Sequence, residues 1–158
     1  MSAIAEIFEE LGFDRSRVRL PEGAVIYALA RTHQLVMRRL ASVYQLFGLT
    51  AVSFNLLVLL QRGRDPRTFT QQAIGERLVV SPSDMSGLVD RLERKGLVRR
   101  EPGKDRRTNL LRLTKKGHQV VETAWPHHAR EIQRLACCLK ADDLRVLNRV
   151  LFAWRQAL

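Results

Sequence analysis

Within the 49 residues from Phe69 to Gly117 the chain carries two helix starts, one helix stop and a hairpin break, the punctuation of a short helix, a tight turn, a second helix and two strand-like runs. Thr70 is a helix cap, and Phe69 before it and Ile74 at the fourth helical position are spaced to close a hydrophobic staple, so a helix is expected from Gln71. Ser81 is a second cap. Pro82 suits the first helical position, Asp84 completes an S-x-x-D capping box, and Val80 with Met85 supplies the staple. Along this second helix Met85, Leu88, Val89 and Leu92 recur at i, i+3, i+4 and i+7, the spacing of one buried stripe. At about 100° per residue the opposite face carries Ser83, Gly87, Asp90 and Arg94, flanked by Ser86 and Arg91.

Lys95-Gly96 then reads as a helix stop, followed by two extended runs, Leu97 to Glu101 and Thr108 to Leu113. Pro102 and Gly103 break the first run. The tip Lys104-Asp105-Arg106-Arg107 presents three cations and one carboxylate, the composition of a loop that lies against phosphate. Asp105 supports it, because a carboxylate beside an arginine holds that side chain extended by a charge-assisted hydrogen bond. Alone, a basic hairpin is ordinarily a solvated turn. Directly after a helix-turn-helix it is the wing of a winged helix-turn-helix, an arrangement for gripping duplex DNA.

The charge agrees. The 158 residues carry 27 basic and 16 acidic side chains, a net +11. Fifteen of the basic and seven of the acidic residues lie between Arg62 and Lys116, so eight of the eleven net charges sit in about a third of the chain. An anionic polymer is the natural partner. A membrane surface attracts cations too, but it calls for a basic amphipathic helix, whereas the richest basic run here is a Pro/Gly-punctuated hairpin. No apolar run approaches the roughly 18 residues that span a bilayer, and Glu6, Glu9 and Glu10 stand where a signal peptide is basic. A cytoplasmic protein with no membrane partner is expected.

Outside the motif the pattern is helical and amphipathic. Ile4, Ile7, Phe8 and Leu11 give a short first helix, and residues from Asp14 to Gly23 read as a connector. Ile26, Leu29, His33, Val36, Leu40, Val43 and Phe47 mark a long helix stopped by Gly48, after which Thr50 opens another around Phe54, Leu57 and Val58. Lys115 to Leu139 reads as a long helix interrupted at Pro126, which kinks it or restarts it, and a last helix from Asp142 aligns Leu144, Leu147, Val150, Leu151, Trp154 and Leu158. The early and late stripes have too little domain of their own to cover, so a C2 dimer is expected, with two reading helices one DNA turn, about 34–36 Å, apart. The expected fold is mainly α with a small β wing: dimerisation helices in 1–48, a DNA-binding region in 49–114 and further dimerisation helices in 115–158.

From about Leu49 to Thr114 the chain resembles the MarR family of bacterial transcriptional regulators. The likeness rests on Leu49-Thr50, on Leu88-Val89-Asp90-Arg91-Leu92-Glu93, on Gly96-Leu97-Val98, and on Asp105-Arg106-Arg107 through Leu113-Thr114. It implies an obligate homodimer on a palindromic operator, the second helix in the major groove, a wing arginine in the minor groove, and a small-molecule pocket between the DNA-binding and dimerisation parts. DNA contacts are accordingly expected from Ser83, Asp84, Ser86, Gly87, Arg91, Arg94, Lys104, Arg106 and Arg107, with Asp105 supporting the wing. At Asp84 and Gly87 the family usually has small hydroxyl or basic residues. Neither residue donates a side-chain hydrogen bond to guanine, so base preference is expected to lean on Ser83, Ser86, Arg91 and groove shape. For the pocket the resemblance implies His33, Met37, Tyr44, Phe54 and Trp125, with Arg38 or Arg39 suited to an aromatic carboxylate.

Other chemistries find little support. Cys137 and Cys138 are adjacent, a geometry that resists a disulfide, and their apolar surroundings point to burial. His127, His128 and Glu131 are spaced for two metal ligands but lack two more, so no metal or cofactor is expected. There is no phosphate-cradling glycine loop and no G-x-S-x-G elbow, which argues against an enzyme. Two readings stand: a repressor released by a small aromatic or phenolic ligand, or an architectural DNA-binding protein without an effector pocket.

Overall fold

Four hydroxyl side chains set where four helices begin, each accepting the backbone N–H three residues on: Thr50 from Ser53 (3.2 Å), Thr70 from Ala73 (3.1 Å), Ser81 from Asp84 (3.2 Å) and Thr114 from Gly117 (3.0 Å). A computed structural model describes residues 9, 10, 12, 21–65, 69–103 and 109–158. Its helices are α1 (Pro21–Gln45), α2 (Ala51–Arg62), α3 (Gln71–Leu78), α4 (Pro82–Arg94), α5 (Lys115–Ala136) and α6 (Ala141–Ala157). Strands β1 (Val98–Pro102) and β2 (Asn109–Leu113) lie between α4 and α5, so the chain is mainly helical with a two-stranded wing. The short helix expected around Ile4 to Leu11, the connector up to residue 20 and the wing tip 104–108 lie wholly or mostly outside the described residues.

The chain divides into two compact units, Met1–Ser42 and Val43–Leu158. In the first, Ala24 and Leu40 of α1 are buried, while Val25, Ile26, Tyr27, Leu29 and Leu35 are exposed. Arg31 pairs with Glu10 at 3.2 Å.

The second unit holds the helix-turn-helix and the wing. The expected stripe of α4 is its buried face: Met85, Leu88, Val89 and Leu92 are all buried, with Ile74 of α3 and Leu56 and Leu57 of α2 also fully covered. Cutting such a leucine back to alanine costs about 2–5 kcal/mol. At the other end of α4, Gly96 takes a φ of +68°, the left-handed region that a side chain disfavours. Its N–H bonds Glu93 O at 2.8 Å and the N–H of Leu97 bonds Leu92 O at 2.9 Å, the paired closure of a Schellman turn. That turn drops the chain straight into β1.

β1 and β2 pair antiparallel, Val98 opposite Leu113, Arg100 opposite Leu111 and Pro102 opposite Asn109. A third short piece joins them. Thr70 bridges to Leu110, and the Leu111 N–H bonds Phe69 O at 2.8 Å, so the residues that open α3 also flank the wing. Thr114 closes the unit: its hydroxyl donates to Gly96 O at 2.6 Å while capping α5. Gly117, one turn in, packs so close to the Leu97 carbonyl and Leu113 that no Cβ fits there.

Two expectations are corrected. α5 does not restart at Pro126 but runs unbroken from Lys115 to Ala136. The proline removes one N–H to the Glu122 carbonyl and costs about 3 kcal/mol in isolation. Here Val121 and Ala124 are buried before it, and Trp125 and His128 on either side of it make ring contacts, so tertiary packing carries the helix through. Second, Cys137 and Cys138 are exposed rather than buried, because α5 has run out of core by the turn in which they sit. α6 buries no residue: Leu144, Val146, Leu147, Val150 and Phe152 are all exposed. No helix among the described residues is long and apolar enough to cross a membrane.

Candidate nucleic-acid interface

With one face of α4 consumed by the core, its remaining surface is what the protein offers. Ser83, Asp84, Asp90, Arg91 and Arg94 are exposed, and Ser86 and Gly87 are half-buried. Asp84 is folded back on its cap, its carboxylate accepting the Ser81 hydroxyl at 2.6 Å, with Ser83 Oγ 3.1 Å from Ser81 Oγ. It therefore stabilises the start of the helix, where a negative charge also suits the helix dipole. A Cβ added at Gly87 would touch only the Arg91 guanidinium, at 3.4 Å, so this point on the helix surface is low and open. Ser86 is already engaged: its hydroxyl donates to Pro82 O at 3.1 Å and accepts from Gln71 Nε2 at 2.8 Å.

Asp90 is engaged as well. On β1, Arg100 reaches back to α4, donating to Asp90 Oδ1 at 2.7 Å and to the Glu93 carboxylate, which also accepts the Arg100 backbone N–H at 2.8 Å. Sequence reasoning misses this arginine; the available signal is a cation on the same strand face as the buried Val98, a place where charge requires a partner. Further along the wing, Glu101 pairs with Arg99 at 2.6 Å and Arg112 at 3.2 Å. Of the predicted DNA contacts, Lys104, Arg106 and Arg107, together with Asp105, lie outside the described residues.

An open cleft of about 890 Å³ lies between α3 and α4, lined by Gln71, Gly75, Val80, Met85 and Ser86 among others. It shares no residue with the predicted ligand contacts. Three of those, Tyr44, Phe54 and Trp125, gather around His128. Tyr44 stacks on Phe54 at 4.6 Å, its hydroxyl lies 3.1 Å from His128 Nδ1, and the Arg62 guanidinium sits 4.1 Å from the Trp125 ring centre. Burial raises the Tyr44 pKa above its ordinary 10.0 and lowers that of His128 below 6.5, so both are neutral near pH 7. His33 is exposed and Met37 half-buried on α1, and Arg38 and Arg39 are exposed. His128 is not among the ligand contacts that the resemblance implies, although it follows Trp125 by three residues on one helix face. His127 packs edge-on to Phe47, and Glu131 pairs with Arg134 at 3.2 Å.

Comparison with known proteins places this geometry. A profile of the MarR family matches residues 47–108. The HTH-type transcriptional regulator PecS of Dickeya dadantii is 28% identical over 126 residues, 79% of this chain and 76% of PecS. Among solved structures, AbsC, a MarR family transcriptional regulator of Streptomyces coelicolor, superposes with a TM-score of 0.81 at 25% identity, covering 89% of this chain and 95% of AbsC. A mutant of E. coli MarR complexed with operator DNA superposes with a TM-score of 0.75 at 25% identity, over 89% of this chain and 97% of that one. The capped helix, the wing that follows it and these likenesses agree: over residues 47–108 in sequence, and over most of its length in fold, the chain is similar to DNA-binding transcriptional regulators of the MarR family.

Proposed function

We propose that this regulator is a homodimeric repressor that covers a palindromic operator and is released by a small aromatic molecule. The observation that carries the reading is the surface of α4: four apolar side chains face the core, while Ser83, Arg91 and Arg94 stand exposed, and the two strands that follow are joined by a tip that is basic in sequence. In this reading α4 lies in the major groove, Ser83, Arg91 and Arg94 reach base edges or phosphates, and Gly87 leaves room for close approach. Asp84 faces the groove from its cap. Ser86, its proton on the Pro82 carbonyl, meets a base as an acceptor. Lys104, Arg106 and Arg107, steadied by Asp105, extend the grip to the neighbouring groove.

The apolar side chains left exposed on α1 and α6 support dimerisation through residues 1–48 and 115–158 around the DNA-binding region 49–114, since a solvent-facing row of Leu, Val and Phe marks a surface meant to be covered. For the effector, Tyr44, Phe54, Trp125 and His128 supply aromatic walls, and the Arg62 guanidinium supplies a cation matched to an aromatic carboxylate. His33 and Met37 are carried as further contacts from the resemblance.

The test is a binding assay on DNA flanking the protein's own gene, repeated with a panel of aromatic acids, phenols and their coenzyme A thioesters. Two chains per palindrome, a preference of about 10³ or more over random duplex, and release by a panel member are the expected results. A stable monomer at micromolar concentration, or equal affinity for operator and random DNA, overturns the reading.

A further inference from the structure

Arg100 is charged and on the DNA-binding side of the protein, yet its bonds run inward. Its side chain is 26% exposed, against 52% for Asp90 and 31% for Glu93. The guanidinium donates to Asp90 Oδ1 (2.7 Å), to Glu93 Oε2 and, over a longer 3.4 Å, to Gln71 Oε1. The Arg100 backbone N–H adds a bond to Glu93 Oε1 at 2.8 Å. Gln71 carries the chain onward, its Nε2 donating to Ser86 Oγ at 2.8 Å. One arginine on β1 thus reaches two carboxylates one turn apart on α4 and the first residue of α3, and through that residue a hydroxyl near the start of α4.

We propose that Arg100 is a positioning residue for operator recognition: it fixes the angle between α4 and the wing and takes no phosphate itself. Three features carry this. Its donors are directed to acceptors on α3 and α4, so a DNA contact requires breaking charge-assisted bonds already made. The planar fork reaches acceptors in three directions, which a lysine ammonium on a single flexible stem does not reproduce. Finally, Asp90 stands on the exposed face of α4, where an unneutralised carboxylate repels the DNA backbone, and Arg100 compensates it. Groove reading tolerates little error, and a clamp between the reading helix and the strand that leads into the wing sets whether both seat together. The inference rests on the reading that α4 and the wing contact DNA.

The experiment compares the full-length wild-type protein with Arg100→Lys, Gln71→Ala and the double variant Glu93→Gln/Arg100→Lys. Each is measured on a duplex selected by the wild-type protein from a randomised pool and on a random duplex of equal length, across a salt series. Arg100→Lys keeps the charge and loses the fork. The expected result is a loss of about tenfold on the selected duplex, little change on the random one, and an unchanged slope of log affinity against log salt. Gln71→Ala, which removes only one arm, loses several-fold on the selected duplex alone. The double variant is no worse than Arg100→Lys, because both changes break the same link.

Wild-type affinity on the lysine variant, or an equal loss on both duplexes with a slope shallower by about 0.9, overturns the proposal, the second result marking a phosphate contact. If Arg100→Lys does not fold, Gln71→Ala decides: unchanged discrimination between the two duplexes refutes the clamp. Failure of the wild-type protein to enrich any sequence from the pool refutes operator recognition itself, a separate outcome.

Discussion

Replacing Thr114 by valine keeps the side chain's shape and removes one hydroxyl on which three elements converge. That hydroxyl accepts the Gly117 N–H at 3.0 Å, capping α5, and donates to Gly96 O at 2.6 Å in the turn that ends α4. Gly117 is buried against the Leu97 carbonyl, so water does not replace the missing acceptor. Loss of a helix cap costs about 1 kcal/mol, and loss of the bond to the exposed Gly96 carbonyl adds up to about another 1 kcal/mol. The sum, up to about 2 kcal/mol, lowers the melting temperature of a chain this size by up to about 8 °C. Urea unfolding followed by circular dichroism measures it. Thr123→Val is the control, since the Thr123 hydroxyl only back-bonds to Gln119 O at 2.8 Å on an exposed helix face, and it is expected to change stability by less than about 0.5 kcal/mol. A Thr114→Val protein within about 0.5 kcal/mol of wild type refutes the account of this junction.

Burial lowers the His128 pKa, so the unfolded chain takes up this proton before the folded one: stability contributed by the neutral ring is complete above pH 6.5 and is lost as pH falls below it. Denaturant titrations from pH 8 to 5 are expected to show that loss, and His128→Gln is expected to flatten it; a wild-type profile identical to the variant's contradicts the assignment. Tyr44 acts at the other end, where its raised pKa makes the folded state lose ground as pH climbs past 10.0. On the wing, Arg106→Ala and Arg107→Ala are each expected to weaken random and operator DNA alike and to flatten the salt dependence by about 0.9 for each phosphate no longer neutralised, and an unchanged slope means that the residue meets no phosphate. Val79 sits in the turn between α3 and α4 at φ 54°, ψ 50° and is 92% exposed, a β-branched residue in left-handed backbone. Val79→Gly relieves about 1–2 kcal/mol of strain against about 0.5–1 kcal/mol of added chain entropy, so a net gain of up to about 1.5 kcal/mol is expected, and a destabilised variant shows that the valine is held there by its neighbours instead.

The difference between what can and cannot be read in advance follows the range of the forces involved. Thr70, Ser81 and Pro82 act within one helical turn, and the Met85–Leu88–Val89–Leu92 stripe needs only the helix period, so α3, α4 and the buried face of α4 are legible to the residue. Pairing of Phe69 and Thr70 with β2 is not, because about 40 residues separate the partners and no local pattern records them. Pro126, read as a kink or a restart, does not restart the helix, for the complementary reason. Its local rule is correct, but the packing on both sides of it outweighs the one bond it removes. The cysteines follow the same logic in reverse, an apolar local context at a point where the core has ended.

Charge shows the limit most clearly, because counting treats every cation alike. The stretch from Arg62 to Lys116 carries a net +8, yet several of its cations are engaged by acceptors of the protein itself. The Lys95 ammonium bonds the Gly48 carbonyl, that of Lys116 bonds Lys95 O at 2.8 Å, and Arg100 faces two carboxylates. These groups still raise the long-range potential that draws DNA in, since a field sums over all charges at any distance within screening. They do not thereby touch phosphate. Attraction and contact are separate properties of the same residues, the first fixed by composition and the second by which donors remain once the fold has used its share, and on α4 the exposed cations so identified are Arg91 and Arg94.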